Sequence, residues 1–247
     1  MAKEISVQTL NTIEDVMRAG KDRYTDDNFA SDSFFVRAFK NYPKNTDPEI
    51  VAMKICLVDT TNTTNLGRLL GAKDFKDKSG KIVHRKNFTL SDLVNKIVSM
   101  KDFDERVKNG DVTLVTDLIK WGMEHDLNAT SFFSKYCLYH NYVAYRHDDY
   151  SIFDKVVKDN LGYYLTREEA SALIPGVRFI GRKGKTEADI VATAVASQIE
   201  NMRKTGNYEA YNELIGKILE LRGITEKEVP YMRRKLDYLV WYTNRKD

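Results

Sequence analysis

At five places along this chain that precede an apolar periodic stretch, a threonine stands three residues ahead of an acid: Thr46–Glu49, Thr89–Asp92, Thr166–Glu169, Thr186–Asp189 and Thr225–Glu228. At that spacing the hydroxyl accepts from an orphan N–H of a first helical turn, and the acid faces the positive end of the helix. Each match opens a stretch whose apolar residues recur every three to four positions. Elsewhere, Asp111 to Glu124 places Leu114, Val115, Leu118 and Trp121 on one stripe and leaves Asp117 and Lys120 off it. Only 13 Gly and 4 Pro punctuate 247 residues, too few for an all-β sandwich or barrel. The sequence therefore predicts a mostly α fold with little or no sheet.

Helices are predicted over 4–18, 30–40, 47–58, 64–71, 90–99, 112–124, 129–140, 152–160, 167–173, 187–204, 208–222 and 229–242. The polar stretch 72–86, with Gly80 near its middle, reads as a loop or short hairpin. A second break runs from Ile174 through Pro175-Gly176 to Gly184, with Arg178, Arg182, Lys183 and Lys185 set around Phe179 and Ile180. No repeat or clear linker is visible. The length fits a single unit, 1–247, in which about 45–165 forms a site lobe and 1–44 plus 166–247 a packing lobe.

Hydrophobic residues at 42% and charged residues at 30% exclude intrinsic disorder. A net charge of +3 does not announce nucleic acid, although a basic face can be offset by an acidic one elsewhere. Cys56 and Cys137 are too few for a disulfide framework, a thiolate zinc site or an iron–sulfur cluster, and suit a reducing compartment. His84, His125, His140 and His147 lack metal-ligand spacing, so no metal or other cofactor is expected. The start MAKEISVQTL has no apolar core of signal-peptide length, and no apolar run approaches the ~18 residues of a membrane span. The expectation is a cytoplasmic protein with no membrane partner.

The stretch richest in chemistry is Asn128-Ala-Thr-Ser-Phe-Phe-Ser-Lys-Tyr-Cys-Leu-Tyr-His-Asn141, followed by a polar loop and then Asp149-Tyr-Ser-Ile-Phe-Asp154. The first part reads as an aromatic-dense helix capped by Asn128, the second as the entry to another helix. Lys135 lies within one helix and Asp154 near the start of the next, so the loop between them can fold both groups toward one cleft. Upstream, Thr60-Thr-Asn-Thr-Thr-Asn65 forms an asparagine-rich turn containing Asn62 and Asn65.

These residues resemble the helix-hairpin-helix DNA glycosylase superfamily, in particular its 8-oxoguanine branch. There a helical lysine is followed about 18–20 residues later by an aspartate at the next helix start, matching base-excision chemistry on a flipped nucleotide. Here the separation is 154 − 135 = 19, and the asparagine-rich turn precedes the hairpin in the same order. The segment around Ser134-Lys-Tyr, His140-Asn and Tyr-Ser-Ile-Phe-Asp154 is also similar to a group of uncharacterised bacterial proteins. The resemblance spans roughly residues 50 to 160 and implies a double-stranded DNA partner. It implies attack by the amine of Lys135 on the anomeric carbon, release of the base and a strand-breaking Schiff base. Such an amine needs its pKa depressed from ~10.4, as an apolar setting of Phe132, Phe133, Tyr136 and Tyr139 would do. Asp154 would stabilise the developing sugar cation. Substrate contacts would come from Asn62, Asn65, Asn128, Thr130, Ser131, Tyr136, His140, Arg178, Arg182 and Lys183.

The glycine-rich hairpin of that superfamily is absent, and Leu127-Asn-Ala-Thr-Ser131 stands in its place. This departure keeps open a non-catalytic DNA-binding module and a helical interaction protein, for instance in phage defence, with Lys135 and Asp154 as a structural ion pair. Ser151-Ile-Phe-Asp154 is itself a capping pattern, so Asp154 also reads as a helix cap. Asn62 and Asn65 equally read as the end of one helix and the cap of the next. His147-Asp-Asp149 reads as a solvated loop, and Cys137 as a small core residue.

Overall fold

The computed structural model describes residues 2–19, 34–62, 64, 66–70, 75–76, 82–83, 88–181 and 183–244. The chain is built almost wholly from helices: α1 (Val7–Ala19), α2 (Phe34–Asn41), α3 (Pro48–Asn62), α4 (Leu66–Leu69), α5 (Leu90–Ser99), α6 (Phe103–Lys108), α7 (Thr113–Glu124), α8 (Thr130–Tyr139), α9 (Lys155–Asn160), α10 (Arg167–Leu173), α11 (Glu187–Lys204), α12 (Tyr208–Leu221) and α13 (Met232–Asn244). The described strands form one antiparallel ladder, β1 (Phe75–Lys76) with β2 (Ile82–Val83), Phe75 opposite Val83. A mostly α fold with minimal sheet is what the periodicity predicts.

Local signals set the helix starts. Thr89, Thr166 and Thr186 each close a full capping box onto Asp92, Glu169 and Asp189. The other two matches resolve differently. Before α3 the cap is Asp47, which accepts from the Glu49 N–H at 2.9 Å, and Pro48 takes the first helical position where no donor is needed. Thr225 bonds the Glu228 carboxylate at 2.8 Å in a turn, and α13 begins only at Met232. The helix expected over 152–160 starts at Lys155, because the backbone groups of Ser151, Ile152 and Phe153 are taken up by side chains of other elements. α6 has too few residues to display a period and is not foreseen by the pattern.

α8 is the hub. Every residue from Phe132 to Tyr139 is buried, and α3 and α7 pack directly on it. At its end the backbone widens into a π-helical turn, His140–Ala144, which packs on α2 and α6. Phe132, Phe133, Tyr136 and Tyr139 are each at most 1% exposed, and a fully buried aromatic of this size contributes roughly 2–3 kcal/mol. α13 packs against α9 and against α1, and α11 lies across α9 and the 3₁₀ turn Leu161–Tyr164. That last contact needs Gly162, since a Cβ there would stand 2.5 Å from the Ala192 Cα. No described helix is long and apolar enough to cross a membrane.

Candidate functional site: a buried Lys–Asp pair under a polar cleft

Lys135 sits mid-helix on α8 and is 7% exposed. A charge on so packed a helix demands a compensating group. Its Nζ lies 3.0 Å from Asp154 Oδ2. Asp154 is the N-cap of α9, with extended backbone, and its Oδ1 accepts the Val157 N–H at 3.0 Å. One carboxylate oxygen thus serves the helix start while the other serves the lysine.

The approach to Asp154 is held from three sides. The Tyr208 hydroxyl accepts the Ser151 N–H at 2.8 Å and donates to the Ser151 carbonyl at 2.7 Å. Tyr211 donates to the Ile152 carbonyl, and its ring stacks on Phe153 at 4.0 Å and 6°. Ser134, one residue before Lys135, accepts the Phe153 N–H at 3.0 Å. Asn212 donates to the Asp149 carbonyl at 2.9 Å. These bonds replace the Ser151 capping pattern, and Ser151 Oγ instead accepts from Arg233 at 3.0 Å.

Asp148 is not a solvated loop residue. Its carboxylate caps α13, accepting the Arg233 and Arg234 N–H groups at 2.7 and 3.2 Å, and desolvation pushes it up to about 7. His147 remains exposed, its Nδ1 2.9 Å from the Lys108 carbonyl. Farther along α13, Asp237 pairs with Arg234 at 2.8 Å. Burial pushes the Asp237 carboxyl up to about 6 against the pull of Arg234, with the charges of Asp154 and Lys135 also acting on it.

In front of Asp154 opens a cleft of about 310 Å³. One wall is the entry to α8, formed by Asn128, Thr130 and Ser131; Phe153, Asp154, Lys155 and Lys158 form the base; Glu200 and Arg203 of α11 form the far wall. Lys135 does not line it and stands behind Asp154. Arg203 and Lys158 bond the Glu200 carboxylate at 2.6 and 3.2 Å, which holds its pKa down at about 2. The Thr130 hydroxyl is buried and has no hydrogen-bond partner among the described residues. The first backbone bond of α8 is Phe133 N–H to the Ala129 carbonyl, so the amides of its first turn have no acceptor within the helix. The cleft wall is therefore rich in donors.

The structure brings Asp154, Asn128, Thr130 and Ser131 to this cleft, with Lys135 directly behind it. Asn128 is not the α8 cap, which is Ala129; its side-chain oxygen accepts from Arg203 at 3.0 Å. Tyr136 and His140 do not reach the cleft. Tyr136 donates to Asn45 at 2.7 Å inside the core. His140 is fully buried against Phe39, Tyr136 and Phe103, and neither ring nitrogen has a hydrogen-bond partner among the described residues. Arg178 and Lys183 lie on an exposed loop outside the lining. Asn62 ends α3, and Asn65 and Arg182 lie outside the described residues. Burial pushes the Cys137 thiol well up, consistent with a core residue. Sequence reasoning missed Lys158, Glu200 and Arg203, which in a helical pattern read only as solvated charges.

Fold and site together define a helical protein whose central helix carries a buried Lys–Asp pair beneath a donor-lined cleft. The family model HI_0787_N, described as an N-terminal domain, matches residues 10–146, more than half of the chain. The chain belongs to this bacterial family, whose name carries no activity. Lys135 falls inside the matched segment, and Asp154, Glu200 and Arg203 fall beyond it. No curated protein and no solved structure matches the chain.

Proposed function

We propose that the chain is a nucleic-acid base-excision enzyme, a DNA glycosylase with abasic-site lyase activity, working at the Lys135–Asp154 pair. The observation that carries this reading is the pair itself: an amine 3.0 Å from a carboxylate that opens onto a cleft. Beside that carboxylate, the first-turn amides of α8 are donors suited to a phosphate. In the reaction, Lys135 passes a proton to Asp154, leaves the pair to reach past it into the cleft, and the freed Nζ lone pair bonds to the anomeric carbon as the glycosidic bond breaks. The base leaves with the bonding electron pair and takes up a proton. The bonded amine then loses a further proton through Asp154 to the ring oxygen as the C1′–O4′ bond breaks, which opens the sugar to a protonated Schiff base. The carboxylate of Asp154 lies nearest the cleft and stabilises positive charge as it develops on the sugar.

Borohydride trapping on duplex DNA with one abasic site tests this directly. The expected result is a covalent adduct with the natural chain and none with Lys135→Ala. An undiminished adduct with Lys135→Ala refutes the role of the lysine. Base release that persists without an adduct and depends on Asp154 would assign the hydrolytic, monofunctional form.

A second reading, a non-catalytic helical interaction protein, is favoured by one observation: Asp154 caps α9 while neutralising Lys135. Failure to bind duplex DNA at low salt, together with a loss of stability in Lys135→Ala, is the outcome it expects.

A further inference from the structure

Between α10 and α11 the chain makes a loop, residues 177–185, that plays no part in the cleft. Ile180 on this loop is 70% exposed, against 49% for the next most exposed large apolar side chain among the described residues, Tyr42. The loop base is anchored. Arg167 lies with its guanidinium carbon 4.5 Å from the Phe179 ring centroid, and Glu187 holds that guanidinium with bonds of 2.6 and 3.1 Å. Phe179 is thereby kept half-buried against the body, while Ile180 beside it stands exposed. The backbone also stands clear of the fold: Gly176 and Gly184 have φ of 74° and 82°, and a Cβ at Gly176, Gly181 or Gly184 would meet nothing within 4 Å. On the same loop Arg178, Lys183 and Lys185 are exposed and form no ion pair among the described residues. Lys158 and Arg203 at the cleft, by contrast, are paired with Glu200.

We propose that loop 177–185 is a nucleic-acid contact in its own right, with Arg178, Lys183 and Lys185 on phosphates and Ile180 against the sugar and base edges of a groove. This rests on the nucleic-acid reading above and adds a surface remote from the reacting pair. Exposed cations outside any ion pair, on the same loop as an exposed apolar side chain, suit the phosphates beside a groove. A lipid surface is the poorer fit, because stable membrane anchoring requires far more apolar area than one isoleucine.

The test is fluorescence anisotropy of the full chain on a short labelled DNA duplex across a potassium chloride series. The variants are Ile180→Ser and the triple change Arg178→Ala, Lys183→Ala, Lys185→Ala. All four positions are exposed, so the fold is expected to survive, which circular dichroism checks. The triple variant is expected to flatten the slope of log affinity against log salt by about 0.9 for each phosphate it no longer neutralises. Ile180→Ser is expected to weaken binding by about tenfold at every salt concentration with the slope unchanged. Wild-type affinity and slope in both variants overturn the proposal. So does loop-dependent binding to phosphatidylserine vesicles with duplex binding untouched, and so does a natural chain that fails to bind duplex at all. Loss of the trapped adduct in Lys135→Ala alongside normal binding by the loop variants would overturn the loop assignment alone. Loop-dependent binding with no lysine-dependent adduct would overturn base excision alone.

Discussion

Replacing Lys135 by methionine keeps a long, flexible side chain in α8 and deletes the charge that lies 3.0 Å from Asp154 Oδ2. What remains is a carboxylate only 13% exposed, with its other oxygen still on the Val157 N–H. Removing one partner of a fully buried pair costs roughly 3–5 kcal/mol. Here the surviving cap bond and partial solvent access relieve some of that penalty, so the expected cost is about 2–3 kcal/mol. Asp154→Asn retains a good N-cap and deletes the carboxylate charge 3.0 Å from the Lys135 Nζ, and its expected cost is similar, about 2–3 kcal/mol. The double variant leaves no stranded charge, so its cost falls short of the sum by at least about 1.5 kcal/mol. Urea unfolding followed by far-ultraviolet circular dichroism measures all four corners of the cycle. At a slope of about 3 kcal/mol/M for a chain of this size, each single change lowers the midpoint by about 0.7–1 M. A coupling energy below about 0.5 kcal/mol would refute the argument that Asp154 is the group that compensates Lys135.

Stability also reads out the buried basic groups. Burial lowers Lys54 from 10.5 to about 8, so between those values the unfolded chain holds a proton that the folded chain lacks. Stability therefore rises as pH increases from about 8 to about 10.5, by up to about 3 kcal/mol, and Lys54→Met removes that rise in urea midpoints. His140 is lowered well below 6.5 by burial and by the nearby Lys54 charge, so stability falls as pH drops through 6.5, by about 1.4 kcal/mol per pH unit at most. His140→Phe is expected to abolish that acid sensitivity. Tyr208→Phe leaves the Ser151 N–H and carbonyl without their buried partner and is expected to cost about 2–3 kcal/mol in urea unfolding. Gly162→Ala forces a Cβ to within 2.5 Å of α11 backbone and is expected to cost about 1–3 kcal/mol in thermal or urea unfolding.

Much of the candidate site is legible in the residue order. A loop joins the helix that carries Lys135 to the start of the helix that carries Asp154, which predicts that the two meet, and they do. Asn128, Thr130 and Ser131, expected as donors beside them, lie in the cleft wall. Tyr136 and His140 share α8 and its π-helical end with Lys135 but face the core between α2 and α6, a direction that depends on how those helices pack. The far wall is invisible in the sequence because Glu200 and Arg203, three apart on a helix, carry the same pattern as any solvated pair.

Helix identity, most helix starts and the apolar stripes belong to the sequence alone, because capping and side-chain periodicity act over one or two turns. Thr89, Thr166 and Thr186 close their boxes whatever lies beyond them. Tertiary structure decided where the non-helical segment 148–153 stops and α9 begins, since Tyr208, Tyr211 and Asn212 of a distant helix take up its backbone groups. It also decided that α11 closes the cleft, through a contact at Gly162 that admits no side chain. Buried polar groups must be satisfied by whatever packing brings within about 3 Å, and that distance is set by the assembled helices.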